Sequence, residues 1–315
     1  MQGTTTFSPD LPSMHIETTI QIEATDGYLL GATLYYTDDS PHPQRLAIIN
    51  CATGVKAAYY ARYARFLAEH GYLALSWDYR GIGASRQSSL RGFKASKFDW
   101  GNKDFEGILQ WVSGNFPDSE IHVIGHSIGG VMPGYTASAW RIERLLIVGA
   151  QYAYWRDYAQ HARRRMLLKW HLAMPLLTQL CGYFPGRMLG WLEDLPAGVA
   201  REWAYRRARL EHPDTERVRH FALLGGPTLA YTISDDPFGT PAAVTRLLAY
   251  YSNSERTLVS LTPTDLHLNQ IGHFAFFHDR FRCSLWPETV RWLTTGKHDR
   301  RVLQHWPAAA PRKGA

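Results

Sequence analysis

The chain has 315 residues, 45% hydrophobic and 20% charged, with a formal net charge of +6. That length accommodates one large α/β domain with an insertion or two ordinary domains, and the composition excludes a disordered chain. The positive charge comes without a lysine-rich run or a nucleic-acid motif, so no nucleic acid is expected as a partner.

The first ordered stretch, "TTIQIEATDGYLLGATLYYT", alternates apolar and polar residues on both sides of Asp26-Gly27 and predicts an antiparallel hairpin at a sheet edge. Next, "RLAIINC" reads as a buried strand, and "AAYYARYARFLAEHG" as a helix ended by Gly71. "YLALSWDYRG" predicts a second buried strand, and "DWGNKDFEGILQWVSGN" an amphipathic helix capped by Asp99 or Asn102. The series continues with the strand "EIHVIGH", a helix over 128–140 and the strand "RLLIVGA". Near-continuous apolar strands alternating with helices predict an α/β class with a mostly parallel sheet covered on both faces.

Strand alternation lapses between 151 and 214, where Trp, Tyr, Leu and Arg dominate, and an inserted helical segment is expected there. It resumes with "GPTLAYTISDD", the helix "TPAAVTRLLAYYS", the strand "RTLVSLT" and a last helix "PETVRWLTTG". The core is therefore expected over 16–150 and 215–296, with a tail over 297–315. Cys51, Cys181 and Cys283 lie too far apart for a zinc site and are odd in number, which predicts reduced thiols. The N-terminus lacks a signal peptide's basic start and apolar core, and no run approaches the roughly 20 residues of a membrane span. A cytoplasmic protein with no stable membrane insertion is expected, as a monomer or homodimer.

Chemistry enters at "HVIGHSIGG", where Ser127 sits between Gly125 and Gly129 at a strand's carboxyl end. A sharp strand-to-helix turn there would expose the hydroxyl above the sheet, and the Ile128 N–H beside it would face a developing oxyanion. A serine hydroxyl needs a base, and the base needs an orienting acid. Asp235 and Asp236 follow one later strand; His273 lies in the loop after the next, in "IGHFAFF", with His267 and His278 as rivals. The order Ser, Asp, His makes these motifs one coherent site.

Together, "NCATGV", "DYRGIGASR" and "GHSIGG" resemble the α/β-hydrolases, over about 16–296, and more narrowly bacterial members of the serine aminopeptidase-like and lysophospholipase-like branch. The resemblance implies an α/β-hydrolase fold and hydrolysis through an acyl-enzyme. It also implies Asp236 as the triad acid, through its Asp-Pro-Phe turn, His273 as the base, and the 151–214 insertion as a helical lid. Many such hydrolases carry His-Gly after the first buried parallel strand, whereas this chain has Asn50-Cys51-Ala52-Thr53-Gly54. Either Ala52 or Thr53 would then supply the second oxyanion N–H, with Thr53 preferred. Cys51 has no basic neighbour in sequence to activate it and reads as a buried thiol; Asp78, Arg80 and Asp104 read as structural.

The lid's aromatic content, with Tyr152, Trp155 and Trp170 foremost among residues that include Tyr154, Trp191, Trp203 and Tyr205, predicts an apolar acyl or aryl pocket or a self-packed lid. Arg163-Arg164-Arg165 reads as a solvated face, with steering of an anionic substrate or contact with a phospholipid surface as its alternatives. The expected substrate is a small apolar ester and the expected cofactor is none. Thioesterase, amidase and aminopeptidase activities stand beside esterase activity, as does, from another class, a non-catalytic binding protein on this fold. An aminopeptidase needs acidic residues to hold a free amine, and Glu193-Asp194 is the adjacent acidic pair in the insertion.

Overall fold

A computed structural model describes residues 14–38, 43–210 and 216–309. The first 13 residues and the end of the "PAAAPRKGA" tail lie outside the described residues. So do 211–214 of the insertion.

Six strands run parallel through the middle of one nine-stranded sheet. In chain order the strands are β1 (His15–Glu23), β2 (Leu29–Thr37), β3 (Arg45–Asn50), β4 (Tyr72–Trp77), β5 (Glu120–His126) and β6 (Ile142–Val148). A two-residue pair follows, β7 (Tyr183–Phe184) with β8 (Leu195–Pro196), then β9 (Thr228–Ile233), β10 (Arg256–Leu261) and β11 (Val302–Trp306). The sheet order is β1-β2-β4-β3-β5-β6-β9-β10-β11. β3, β4, β5, β6, β9 and β10 pair in parallel, as their apolar runs predict. All six residues of β4 and of β9 are buried. The hairpin β1–β2 turns at Gly27, whose φ of 79° is the left-handed geometry glycine adopts without strain.

Three local expectations are corrected. The helix that begins at Lys97 is capped by Ser96, which forms a capping box with Asp99, in place of a cap at Asp99 or Asn102. No α-helix occupies 128–140; short 3-10 turns span Ser127–Gly130, Met132–Tyr135 and Ala139–Arg141. Gly129, Gly130, Pro133 and Gly134 explain this, because glycine and proline disfavour a continued helix. The expected tail from 297 contains β11, which pairs antiparallel with β10 as an edge strand; the preceding helix stops at Gly296 in the left-handed conformation.

Between β6 and β9 the chain leaves the sheet, and the helical run from Arg163 to Cys181 and the helix Ala197–Ala204 stand over the strand ends. This segment is tied to the β3 loop, since Glu193 N–H donates to the Gly54 carbonyl at 2.9 Å. Among the described residues no helix is long and apolar enough to cross a membrane.

Candidate active site

Ser127 follows β5 directly and has φ of 54°, a conformation that costs a non-glycine residue on the order of 1–3 kcal/mol. The surroundings enforce it. A side chain at Gly129 would strike the Asn50 carbonyl, so the turn can tuck under the β3 loop only with glycine there. Asn50 itself bridges the two loops, accepting from Trp77 Nε1 at 3.0 Å and donating to the Gly129 carbonyl at 3.3 Å.

The acid and the histidine come from β9 and β10. His273 Nδ1 lies 2.7 Å from Asp236 Oδ2. A carboxylate only accepts, so Nδ1 carries the proton and Nε2 is left as the basic nitrogen. Burial favours the neutral form of Asp236, but the His273 ring and the backbone N–H groups of Gly239 and Phe238 outweigh it and hold its pKa below the ordinary aspartate value. Asp235 has a different partner: its two carboxylate oxygens accept the N–H groups of Ile271 and Gly272, each at 2.9 Å, and so pin the loop that bears His273. His267 and His278 are both exposed, and neither lines the cavity that Ser127 and His273 share.

That cavity, of about 320 Å3, is lined by Ser127, His273, Ile128, Ala52 and Thr53 on the sheet side. Ala52 N–H is already donated to the Tyr60 hydroxyl at 2.9 Å. Among the described residues no acceptor takes the Thr53 N–H. The expected oxyanion pair, Ile128 and Thr53, thus meets in one cavity, with Ile128 at the start of a single 3-10 turn in place of a full helix.

Of the aromatic residues expected at a substrate, Trp170 lines the cavity and Tyr152 and Trp155 do not. Tyr152 is buried and gives its hydroxyl to the Ala208 carbonyl at 2.7 Å, while Trp155 packs beside Tyr154 and Arg156. Trp191 and Trp203 stand with Trp170 instead, Trp170 and Trp203 stacked at 4.6 Å, and Phe238 bridges from Trp203 to the His273 ring.

Several supporting residues carry no motif. Behind the site, the Tyr60 hydroxyl meets His126 Nδ1 at 2.7 Å, and His126 Nε2 meets the His273 carbonyl at 2.9 Å. Burial, with His273 nearby, pushes the His126 pKa down to about 3, so the ring is neutral: its Nε2–H donates to the His273 carbonyl and its Nδ1 accepts from the Tyr60 hydroxyl. A methyl group on Gly149, at φ 55°, would stand 2.7 Å from Asp236 Oδ2, and one on Gly239 would stand 2.6 Å from it. Only the position of His126, next to Ser127, offered a hint in the sequence. Cys51 is fully buried, with its thiol pKa pushed well up by burial and then by Asp78, and it donates to the Trp77 carbonyl. Asp78 accepts two backbone N–H groups, and Asp104 is paired with Arg80 at 2.6 Å, so both serve the scaffold.

The pattern of the family described as Serine aminopeptidase, S33, matches residues 42–191, just under half of the chain. An esterase from Pyrococcus furiosus is similar in structure, with a TM-score of 0.56 and 13% identity over 93% of this chain and 96% of that one. The chain has the α/β-hydrolase fold. A hydrolase from Pseudomonas aeruginosa, at a TM-score of 0.54 and 18% identity, covers 86% of this chain and 97% of its own. An esterase domain from Rhodothermus marinus, at 0.52 and 17%, covers 88% and 99%. No curated protein matches the sequence. Among the described residues no group of His, Cys, Asp and Glu is arranged to hold a metal ion.

Proposed function

We propose that this α/β-hydrolase is a serine hydrolase of carboxylic esters, with Ser127 as nucleophile, His273 as base and Asp236 as the orienting acid. The observation that carries the reading is the 2.7 Å contact of His273 with Asp236 beside a serine in strained geometry on the same cavity. Ser127 Oγ attacks the ester carbonyl carbon as His273 Nε2 takes its proton. The N–H groups of Ile128 and Thr53 face the carbonyl oxygen as it gains charge. The C–O bond then breaks and the proton passes to the departing alkoxide. Water repeats the sequence, giving the acid and free Ser127. The segment 151–214 serves as the lid, and its tryptophans receive an apolar acyl or aryl group.

Peptide hydrolysis from a free N-terminus, suggested by the matching family's description, finds less support. Holding a free amine takes a carboxylate, and among the described residues no Asp or Glu lines the cavity. Glu193 pairs with Lys56 at 3.3 Å and Asp194 with Arg86 at 2.9 Å. A panel of p-nitrophenyl esters run beside thioesters and aminoacyl p-nitroanilides tests the reading. Ester turnover that disappears in Ser127→Ala is expected, and faster turnover of the anilides would overturn the ester assignment.

A further inference from the structure

Apart from His273, the ionisable side chains that line the cavity are all basic. They are Lys97, Arg165 and Lys169, and both lysines face tryptophans. The Lys169 ammonium lies 4.1 Å from the Trp191 ring centre and 4.5 Å from that of Trp170; the Lys97 ammonium lies 5.2 Å from Trp203. Aromatic faces attract a cation without neutralising it. No carboxylate of the described residues is within ion-pair distance of Lys169 or Arg165. Glu202 is the acidic group nearest Lys97, accepting that residue's backbone N–H at 2.8 Å while also facing Arg206 at 3.9 Å.

Lys97 is 1% exposed, and burial and then Arg206 push its pKa well down, with Glu202 opposing them. Burial and then Arg165 push down that of Lys169 as well. Lys169 is thus partly desolvated with a like charge, Arg165, as its charged neighbour, and an anion held by these two groups would compensate both. The volume, about 320 Å3, is at the small end of the range for small-molecule sites.

We propose that the cavity selects an ester whose short acyl or aryl group ends in a carboxylate, held by Lys169 and Arg165 with Lys97 behind, while its apolar middle lies against Trp170 and Trp203. This rests on the hydrolase reading and names its substrate class. The ester carbonyl sits at Ser127 and the carboxylate at Lys169 and Arg165, so the group that reacts and the group that is recognised are different.

The test compares the p-nitrophenyl monoester of adipic acid, which has a free carboxylate, with p-nitrophenyl heptanoate, close in size but neutral. The charged ester is expected to be favoured in kcat/KM by about tenfold or more, the scale of one charged hydrogen bond. In Lys169→Met that ratio should collapse through a raised KM for the charged ester. A second measurement does not need turnover: tryptophan fluorescence of Ser127→Ala is titrated with monomethyl adipate and with dimethyl adipate. Tighter binding of the monoanion, lost on adding Lys169→Met, supports the site even if neither ester is hydrolysed, and in that case the hydrolase reading fails alone. Ester hydrolysis with no preference for the charged substrate, or a preference that survives Lys169→Met, overturns the anion site and leaves the hydrolase reading standing. Survival of that kind would mean that the carboxylate is held near Ser127 and that Lys169 is only a structural partner of its two tryptophans.

Discussion

The floor and the roof of the cavity are built differently. On the floor, Ser127, Asp236 and His273 follow β5, β9 and β10 of one sheet, and the acid and the histidine loop are held by backbone hydrogen bonds: Asp236 by the Phe238 and Gly239 N–H groups, the His273 loop by Asp235. Their freedom is removed by close approach, with Gly149 and Gly239 admitting no side chain beside the carboxylate. On the roof, Trp170, Trp191, Trp203, Lys97 and Lys169 come from helices and loops of the insertion and its surroundings, and hold one another by ring and cation contacts. Backbone hydrogen bonds and steric exclusion set positions to tenths of an ångström, whereas ring packing tolerates exchange of one aromatic for another. The chemistry should therefore be brittle at the floor and adjustable at the roof.

The largest expected effect is on the floor. Ser127→Ala should lower kcat for p-nitrophenyl esters by about 10^4-fold or more with the circular dichroism spectrum unchanged. Asp236→Asn should cost nearly as much, about 10^4-fold, by allowing the wrong histidine tautomer, whereas Asp235→Asn should cost roughly tenfold through a looser loop. Equal losses in the two variants would break the assignment of Asp236. Gly149→Ala forces a side chain into a positive-φ position against Asp236 Oδ2, and a fall in kcat of about 10^2-fold is expected. On the roof, Trp170→Phe should raise KM for an aryl ester by only about threefold and leave kcat nearly unchanged. A loss in kcat as large as that of the glycine variant would erase the distinction between the two sides.

A smaller, global effect concerns the buried histidines. His122 and His126 have pKa values near 3, lowered first by burial, against an ordinary value of 6.5. The unfolded chain binds these protons at higher pH than the folded one, so stability rises with pH between those values. Thermal melts should show stability lost progressively as pH falls from 6.5 towards 3, and His122→Asn should flatten the curve. A melting temperature indifferent to pH over that window would contradict neutral burial of the two rings.

The floor was far more legible in the sequence than the roof. Each parallel strand is a short apolar run, and the three floor residues follow such runs in a fixed order, so "HVIGHSIGG", "TISDDPFG" and "IGHFAFF" pointed to positions in space. Between Asp235 and Asp236 the Asp-Pro-Phe turn favoured Asp236, whose carboxylate meets the His273 ring while Asp235 holds the loop beside it. The helix expected over 128–140 does not form because Gly129, Gly130, Pro133 and Gly134 break it despite the apolar residues between them. β11 was missed because a five-residue, almost wholly exposed edge strand is too short to show an alternation. In the roof, composition revealed many aromatic side chains but not their facing: Trp170 and Trp203 are brought together from separate helices, while Tyr152 turns towards Ala208. Lys97 lies outside the insertion altogether, and nothing near it in sequence marks it as part of the cavity wall.

The central claim is that Ser127 forms the covalent intermediate. Peptide mapping by mass spectrometry after reaction with a fluorophosphonate tests it most directly. The account predicts a single adduct on the peptide containing Ser127, formed much more slowly in His273→Ala and absent in Ser127→Ala. An adduct on another serine, or labelling of Ser127→Ala at the wild-type rate, would contradict it.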